Sequence, residues 1–326
     1  MNPLHQPLRF APQFNYRVWG GNRLKYLLNK PISDNNTGES WELSAVPGAA
    51  SVVCEGPLEG KTLQELIAFY QTELLGEHIW RDFGSNFPLL IKFIDAQNPL
   101  SLQVHPNDAW AKEHHNSFGK NEMWYILDAE PNAHLTLGFN RQMTPQAFEE
   151  HLQNGTLETV LHTQKAEAGQ AYFIPSGRVH AIGGGIVLAE IQQTSDITYR
   201  MYDYNRKDPV SGKQRPLHME KAKAVADWSP TEQFDILYGK HSNHVNPLIH
   251  TSYFCTNYLT INGGMARDYS DKDTFVILIG IAGELEIQYA TNTITLRKGE
   301  TLLLPAAMAS VSFLGENATL LEVMMP

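Results

Sequence analysis

The chain carries a succession of short apolar or alternating runs, each bounded by Gly, Pro, Asn or Asp. Runs of this kind are typical of β-strands, and the residues between them are those that tight turns require. The runs cover residues 51–54, 88–94, 101–105, 123–127, 171–174, 186–191, 259–262, 275–279, 284–289 and 301–304. Many short strands joined by turns predict an all-β sandwich or barrel.

Helical periodicity is confined to three segments. Between residues 62 and 75, apolar residues recur at the helical period, and Thr62 with Glu65 forms a candidate capping box. Thr144 followed by Pro145 predicts a second helix over 144–153, because proline is favoured at the first helical position. A weaker candidate spans 219–226. We interpret these helices as insertions in a β scaffold.

The balance of charge restricts the classes of partner. The 326-residue chain has 42% hydrophobic and 18% charged residues, which is enough apolar material for a sizeable core. It has 25 Lys and Arg against 35 Asp and Glu, for a formal net charge of −10. A net acidic surface argues against nucleic-acid binding, which needs a basic field. A local cluster of Lys and Arg can still bind a small anion.

No segment is typical of membrane insertion or export. No apolar run approaches the roughly 20 residues of a membrane span. The first ten residues are interrupted by Pro3, Pro7 and Arg9, unlike the apolar centre of a signal peptide. Cys54 and Cys255 are the two cysteines, which are too few for a disulfide framework. We therefore expect a cytoplasmic protein.

A weak internal repeat predicts two related β units. The first copy consists of Gly169, Pro175, Gly177 and His180, and the second copy has the same spacing in Gly299, Pro305, Ala307 and Ser310. Each copy spans a strand with a proline-bearing exit. Because Ser310 stands where the first copy has His180, metal chemistry is expected only in the first unit.

Four polar side chains are predicted to converge on one point. Gln103 and His105 are two residues apart in a strand-like run, and residues i and i+2 of a strand face the same side. Glu122 stands at the head of an apolar strand, where a carboxylate is costly unless it is paired or metal-bound. His180 follows the turn of the first repeat copy. We interpret the four as ligands of one metal ion at the mouth of a β-barrel.

The chemistry of these ligands restricts the metal without identifying it. Two imidazole nitrogens, a carboxylate oxygen and an amide oxygen suit Zn²⁺ with one position open for water or substrate. Glutamine is an unusual zinc ligand, so Fe²⁺, Mn²⁺ and Co²⁺ remain alternatives from the residues alone.

Several longer motifs point to a known family. The chain resembles the type I phosphomannose isomerases of the cupin superfamily, in their short bacterial form. The motifs are GESWELS (38–44), PLLIKFID (88–95), LSLQVHP (100–106), GKNEMWY (119–125), PSGRVHA (175–181), EIQQTSD (190–196) and YRMYDYNR (199–206). The resemblance is strong over the first two thirds of the chain, whereas the C-terminal part matches only as a generic β unit.

The resemblance implies a mainly β fold with two cupin-like jelly-roll units and small helical insertions. We expect the catalytic, metal-binding domain at residues 1–240, with insertions at about 62–80 and 144–165. A C-terminal β domain without metal ligands is expected at 241–326.

The resemblance also implies an activity and its site. The activity is that of a zinc-dependent isomerase, which interconverts mannose 6-phosphate and fructose 6-phosphate through a cis-enediol. One zinc ion per chain is then held by the side chains that match the family's ligands, namely Gln103, His105, Glu122 and His180. Arg200 matches the family's essential arginine, and Arg206 stands where the long eukaryotic form has a lysine. Val46 replaces a frequent histidine, so that residue's role is either not needed here or performed elsewhere.

Cationic side chains are the candidates for substrate binding. Arg200 and Arg206 are predicted to bind phosphate or enediolate oxygens, since a guanidinium recognises such groups in bidentate fashion. Residues 199–206 are predicted to form a loop across the cavity mouth. Lys92, Ser101 and Lys120 lie beside the ligand residues in the sequence and are expected to line the same cavity.

The residues leave the proton-transferring group open. Glu190 ends an apolar run and can act as a carboxylate base with a raised pKa. It can instead orient a histidine that binds the metal. Water on the metal and Lys120 are two further candidates.

Two other functions are also compatible with a cupin. One is a sugar-binding protein without catalysis, for which two arginines beside a complete metal set are not needed. The other is an Fe²⁺ oxygenase, which favours three histidine ligands, so that Gln103 argues against it. The expected partner in the first interpretation is a small sugar phosphate, and the oligomeric state is not predicted.

Overall fold

Strands make up most of the regular structure in the computed structural model, which describes residues 2–231 and 235–326. The N-terminal strands are β1 (Leu8–Arg9), β2 (Gln13–Gly21), β3 (Thr37–Leu43), β4 (Ala45–Val46), β5 (Ala49–Ala50), β6 (Leu89–Ala96) and β7 (Leu102–Val104). The central strands are β8 (Glu122–Ala129), β9 (His134–Phe139), β10 (Leu161–Lys165), β11 (Ala171–Ile174), β12 (His180–Ile182), β13 (Ile186–Gln193) and β14 (Tyr199–Tyr202). The C-terminal strands are β15 (Asn246–His250), β16 (Cys255–Asp268), β17 (Val276–Ala282), β18 (Glu284–Tyr289), β19 (Asn292–Arg297), β20 (Thr301–Leu304) and β21 (Ser310–Met324).

The helices are short and lie between strands. They are α1 (Arg23–Leu28), α2 (Leu63–Tyr70), α3 (Thr72–Leu75), α4 (Glu77–Phe83), α5 (Asp108–His115), α6 (Pro145–Gln153) and α7 (Met219–Val225), with a 3₁₀ turn at Leu157–Thr159. Among the residues described, no helix is both long and apolar enough to span a membrane.

The first unit consists of two antiparallel sheets that enclose an interior. One sheet has the order β11-β8-β13-β6-β3-β2, and the other has the order β10-β9-β12-β7-β14. Alternate residues of the first sheet, such as Ile94 and Trp124, pack against Leu137 and Ile182 of the second sheet. The two-residue period of a strand therefore directs one side-chain set into the barrel.

The other face of the same strands holds the two units together. Phe93, Met123 and Ile191 point away from the barrel interior and belong to one buried cluster with Ile277 and Val323 of the second unit. Because both faces of these strands are buried, the strands are almost continuously apolar rather than alternating. The two units thus share one hydrophobic core.

The second unit repeats the topology of the first. Its sheet has the order β1-β20-β17-β21-β16-β15, and β18 and β19 form a hairpin beside it. The succession β20-β17-β21-β16 corresponds to β11-β8-β13-β6, as the repeat predicts. Two cupin-like jelly-roll units with small helical insertions are therefore confirmed.

The chain's N-terminal strand lies in the second unit. Leu8 and Arg9 of β1 pair with Leu303 and Leu302 of β20. The proposed domain boundary near residue 240 stays a prediction, but this pairing joins the beginning of the chain to the C-terminal sheet.

The predicted helices are present with one interruption. Thr62 and Glu65 form a complete capping box at the start of α2, and the side chain of Thr144 caps α6, where Pro145 is the first residue. The segment predicted as one helix over 62–75 is divided at Gln71, whose φ of 46° breaks the helix. The predicted third helix corresponds to α7.

Two local predictions are wrong. Residues 51–54 make only isolated bridges, from Val53 to Phe10 and from Val52 to Thr62, so they are not a strand. The segment 199–206 begins as β14, whose Tyr199 and Arg200 pair with β7. The four residues Tyr-Arg-Met-Tyr contain no apolar run, although Tyr199 and Met201 on one face of β14 are buried.

Candidate active site

Gln103 lies between two other predicted site residues in the same sheet. It pairs with His180 of β12 on one side and with Arg200 of β14 on the other. Directly opposed residues of neighbouring strands point to the same face. The register therefore places an imidazole, an amide and a guanidinium in one row facing the barrel interior.

The facing sheet contributes the carboxylate. Glu122 is the first residue of β8 and is fully buried. Its oxygens lie 3.4 Å from His180 Nε2 and 3.7 Å from His105 Nε2. One ligand atom from each of these three residues lies within 4.8 Å of the others. Closure of the barrel brings these residues together from two sheets, and His105 follows directly after β7.

Both histidines are oriented by the backbone. His105 Nδ1 donates to the carbonyl of Ile197 at 2.8 Å, and His180 Nδ1 donates to the carbonyl of Arg178 at 2.8 Å. These bonds select the tautomer that carries its lone pair on Nε2, the atom directed at Glu122. Burial, the largest cause, lowers the pKa of His180 to about 3 and lowers that of His105 as well. Both rings are thus neutral, as metal ligands must be.

Only some of the candidate ligand atoms make hydrogen bonds to other protein groups. Glu122 Oε1 and His180 Nε2 are buried without a hydrogen bond to any described residue. A buried polar atom in that condition costs about 1–3 kcal/mol. The cation held at this cluster is the ammonium of Lys120, which lies 2.7 Å from Glu122 Oε2 and 3.1 Å from His105 Nε2. Two buried ligand atoms lack a hydrogen bond, and the same cluster attracts a cation. Both features are those expected of a site for a divalent metal ion.

The charge on Glu122 depends on such a cation. Burial is the main cause that raises the pKa of its carboxyl to about 7, while Lys120 acts in the opposite direction. Burial would also lower the pKa of Lys120, but Glu122 and Glu190 outweigh it and raise that pKa. Lys120 is therefore an ammonium, whereas Glu122 needs a further cation beside it to be fully ionised at neutral pH.

A second buried ion pair lies on the interior face of the six-stranded sheet. Glu190 pairs in register with Lys92 on one side and with Trp124 on the other. Lys92 Nζ lies 3.0 Å from Glu190 Oε2 and 2.9 Å from Gln192 Oε1, and Trp124 Nε1 donates to Glu190 Oε1 at 3.2 Å. Both oxygens of Glu190 are thus engaged.

This environment contradicts the expected pKa of Glu190. Burial alone would raise it, but Lys92 and Lys120 outweigh burial and lower the pKa to about 2. The expectation of a raised pKa is therefore wrong. The orienting role for a histidine is also wrong, because each Nδ1 is held by a backbone carbonyl. Neither partner lysine could be assigned to Glu190 from its position in the sequence.

A cavity of about 400 Å³ opens beside these residues. Its lining includes five cationic side chains, Arg17, Lys92, Lys120, Arg200 and Arg215, and three carboxylates, Glu39, Glu190 and Asp196. Trp19 and Trp41 form part of its apolar wall. An acidic protein thus contains a locally positive pocket that suits an anionic polar molecule.

The structure brings most of the predicted residues to this cavity. Lys92, Ser101, Gln103, Lys120, Glu190 and Arg200 line it. His105, Glu122 and His180 adjoin this lining, because Lys120 contacts His105 and Glu122, and Gln103 pairs in register with His180. Arg206 is the exception, because it is not among the lining residues and its guanidinium is bound to Asp203 and to the Pro99 carbonyl. Val46 lines a separate, neighbouring pocket of about 160 Å³.

Sequence reasoning missed four charged lining residues, Arg17, Glu39, Asp196 and Arg215. Arg17 lies on β2 and pairs with Glu39 at 2.8 Å, and Arg215 lies in the polar segment after β14. None of them interrupts a periodic apolar run. A charged residue within such a run is the signal by which the sequence could have identified it. Glu39 lies in the GESWELS motif, but its charge is explained only by contacts with Arg17 and Trp41.

Comparisons with known proteins show the family of the chain. Residues 8–141 match the family model "Phosphomannose isomerase type I, catalytic domain", and residues 245–324 match "Mannose-6-phosphate isomerase, cupin domain". The chain is 34% identical to a mannose-6-phosphate isomerase of Streptococcus mutans, over 95% of this chain and 96% of the relative. It is also 34% identical to the mannose-6-phosphate isomerase ManA of Bacillus subtilis, over the same shares.

The fold agrees over nearly the whole length. The crystal structure of the mannose 6-phosphate isomerase from Bacillus subtilis superimposes with a TM-score of 0.88 at 33% identity, and the match covers 97% of this chain and 99% of that one. A putative mannosephosphate isomerase from Archaeoglobus fulgidus has the same fold, with a TM-score of 0.80 at 23% identity.

Proposed function

The chain belongs to the type I phosphomannose isomerase family, and from that membership we propose that it interconverts mannose 6-phosphate and fructose 6-phosphate as a zinc-dependent aldose–ketose isomerase. The observation that carries this proposal is a cavity with a surplus of cationic side chains, one of which, Lys120, contacts the His–Glu–His cluster. A phosphorylated sugar needs both features, because its carbonyl must be polarised and its phosphate bound.

The protein residues that would hold the metal are His105, Glu122 and His180, together with Gln103 in register with His180. When bound, a divalent zinc ion supplies Lewis-acid polarisation of a carbonyl group. One carboxylate among the ligands leaves net positive charge on the site. We propose one such ion per chain.

Charge stabilisation and protonation of a substrate oxygen are assigned to the chain's own side chains, while the group that accepts the carbon-bound proton is left open. Arg200 lies in the row beside Gln103, and we propose that its guanidinium stabilises the negative charge that develops on the substrate as a cis-enediol forms. Lys120 is protonated and lines the cavity, so its Nζ can donate a proton to a substrate oxygen. Glu190, with its lowered pKa, stays ionised, and we propose that it holds Lys92 and Trp124 in place and stabilises the charge on Lys120.

Lys92 and Ser101 are proposed to bind the sugar. Both are almost fully buried and yet line the cavity. A buried ammonium that already has two oxygen partners is held in one position. It can therefore donate a hydrogen bond only to a sugar hydroxyl that lies in one orientation. A cytoplasmic location is part of the same proposal, since the substrate is a charged metabolite.

The test is a coupled assay on purified protein. Mannose 6-phosphate should be converted to fructose 6-phosphate without consumption of O₂, activity should disappear on chelation, and Zn²⁺ should restore it. Consumption of O₂ would favour the oxygenase, and binding of the sugar phosphate without turnover by metal-loaded protein would favour the non-catalytic cupin. Either outcome would refute the proposal.

A further inference from the structure

The candidate metal ligands come from two different sheets. Glu122 begins β8 of the six-stranded sheet, whereas His180 lies in β12 of the five-stranded sheet and His105 directly follows β7 of that same sheet. Hydrogen bonds between paired strands fix distances within a sheet, but they do not set the separation of two sheets. The position of the carboxylate relative to the two imidazoles therefore depends on contacts that join the sheets.

The side chain of Asn121 makes one such contact. Asn121 immediately precedes Glu122 and is 2% exposed. Its Oδ1 accepts a hydrogen bond from Ser176 N at 2.9 Å. Ser176 lies between β11 and β12, where the chain passes from one sheet to the other and leads to His180. The Asn121 amide thus joins the residue beside one candidate ligand to the segment that carries another.

Gln193 extends the connection to the segment that follows His105. Its Oε1 accepts from Asn121 N at 3.0 Å and from Asn121 Nδ2 at 2.8 Å. Its Nε2 donates to Asp108 Oδ1 at 3.0 Å. Asp108 is the first residue of α5 and also accepts from Gly119 N at 2.8 Å. A continuous series of hydrogen bonds therefore joins all three segments that carry the His–Glu–His cluster.

The backbone determines the orientation of both amides. The N–H groups of Ser176 and Asn121 can only donate, so the side-chain atoms that they contact must be amide oxygens. The amide nitrogens of Asn121 and Gln193 then donate to the remaining partners. Both side chains are almost fully buried, where a polar group without a partner is costly. The pair is therefore held in one arrangement.

We propose that the Asn121–Gln193 amide pair positions the carboxylate of Glu122 relative to the two candidate histidine ligands before a divalent metal ion binds. This inference rests on the proposed function, because it requires such an ion at the cluster. The described residues that line the cavity of about 400 Å³ do not include either amide. The two amides are thus positioning residues, and their loss should affect metal binding rather than binding of the sugar phosphate.

The experiment compares Asn121→Ala, Gln193→Ala and the double variant with Asn246→Ala as a matched control. Asn246 is also a buried asparagine, and its amide bonds to backbone groups within residues 241–258, away from the cluster. Circular dichroism and urea unfolding of the metal-free proteins report folding and stability. Competition with a chromophoric chelator measures Zn²⁺ affinity without substrate. Gln193→Met, which retains the side-chain volume, replaces Gln193→Ala if the smaller side chain prevents folding.

Each single substitution in the pair should weaken Zn²⁺ binding about tenfold to 100-fold, the range found for groups that position metal ligands. The double variant should lose little more than either single variant, because the two amides act as one unit. Asn246→Ala should reduce stability but leave Zn²⁺ affinity unchanged. The absorption spectrum of the Co²⁺-loaded protein, which reports ligand geometry, should change in Asn121→Ala and not in Asn246→Ala. At saturating metal, KM for mannose 6-phosphate should stay near the wild-type value.

Three results would overturn the inference. One is wild-type Zn²⁺ affinity in folded Asn121→Ala and Gln193→Ala proteins. The second is an equal loss of affinity in Asn246→Ala, and the third is fully additive losses in the double variant, which would show that the amides act separately. A wild-type protein that binds no Zn²⁺ would overturn it as well. A wild-type protein that binds Zn²⁺ but does not isomerise mannose 6-phosphate would refute only the proposed function.

Discussion

Glu190 and Glu322 occupy equivalent positions in the two barrels. Glu190 of β13 pairs in register with β8 and β6, and Glu322 of β21 pairs with the corresponding strands β17 and β16. Both carboxylates are almost completely buried. Glu190 lines the cavity, whereas Glu322 binds Arg267 through both oxygens and also accepts from Tyr269 and Asn257. The same position is thus used for a cavity wall in one unit and for a closed polar network in the other.

The two glutamates should therefore respond differently to the same substitution. Glu322→Gln should lower the free energy of unfolding by about 1–3 kcal/mol, because a buried charged hydrogen-bond network is weakened, and should leave kcat/KM nearly unchanged. Glu190→Gln should lower kcat/KM by at least about tenfold through lost positioning of Lys92. Urea unfolding and steady-state kinetics measure both effects, with the exposed Glu316→Gln as control. Equal catalytic losses in the two variants would contradict this assignment.

Metal content should depend on the first unit alone. Wild-type protein should bind one divalent ion per chain, because Val276 and Ser310 of the second unit stand where the first has Glu122 and His180. His180→Ala removes a ligand atom and should weaken metal binding by at least about 100-fold, together with activity. Elemental analysis after dialysis measures this, and the exposed His134→Ala is the control. Full occupancy in the His180 variant would refute the ligand assignment.

Arg200→Ala should act mainly on kcat. The side chain lies next to Gln103 in the register of the sheet, so its contact with the substrate is expected at the reacting end and strongest in the transition state. A lost charge-assisted contact corresponds to a decrease in kcat of about tenfold to a hundredfold. Steady-state kinetics with mannose 6-phosphate measure the split. An increase confined to KM would show that Arg200 binds the substrate as strongly in the ground state as in the transition state, and it would contradict this prediction.

The contribution of Asp203 to stability should disappear in acid. Burial would raise its pKa, but the hydrogen bonds and charges of Arg215 and Arg206 outweigh burial and lower it. A carboxyl whose pKa is lower in the folded than in the unfolded state stabilises the fold at pH values above its unfolded-state pKa of about 3.9. This stabilisation is lost as the pH falls below that value. The stability difference between wild type and Asp203→Asn should therefore be constant from pH 6 to 8 and shrink below about pH 4. Urea titrations over this range test it, and a difference independent of pH would contradict it.

The predicted catalytic domain should not fold alone. Residues 1–240 without the second unit would expose the shared core face that carries Phe93, Met123 and Ile191. The fragment would also lose β20, the partner of β1. We expect aggregation, or no cooperative unfolding transition, for the fragment, whereas the full chain should unfold in a cooperative transition. A monomeric fragment with a cooperative transition would show that the shared core is dispensable.

Much of the fold could be predicted from local patterns. The runs at 171–174, 284–289 and 301–304 coincide with β11, β18 and β20, because strand period and turn chemistry are local properties. A strand such as β14 is not predicted, because Tyr-Arg-Met-Tyr contains no apolar run, although Tyr199 and Met201 are buried. The strand predicted at 51–54 failed because its residues bridge to different segments, Val53 to Phe10 and Val52 to Thr62, so that no continuous ladder forms.

The β class, the repeat and the ligand candidates could be predicted from the amino-acid sequence, because they depend on residue type and spacing along one chain. Tertiary structure alone decided which charges meet. Lys92 and Glu190 are far apart in sequence, yet their ion pair at 3.0 Å lowers the pKa that burial alone would raise. Likewise, Arg215 lines the cavity and the predicted Arg206 does not, although both guanidiniums bind Asp203. Electrostatic effects depend on distance and burial in space, and neither can be read from position along the chain.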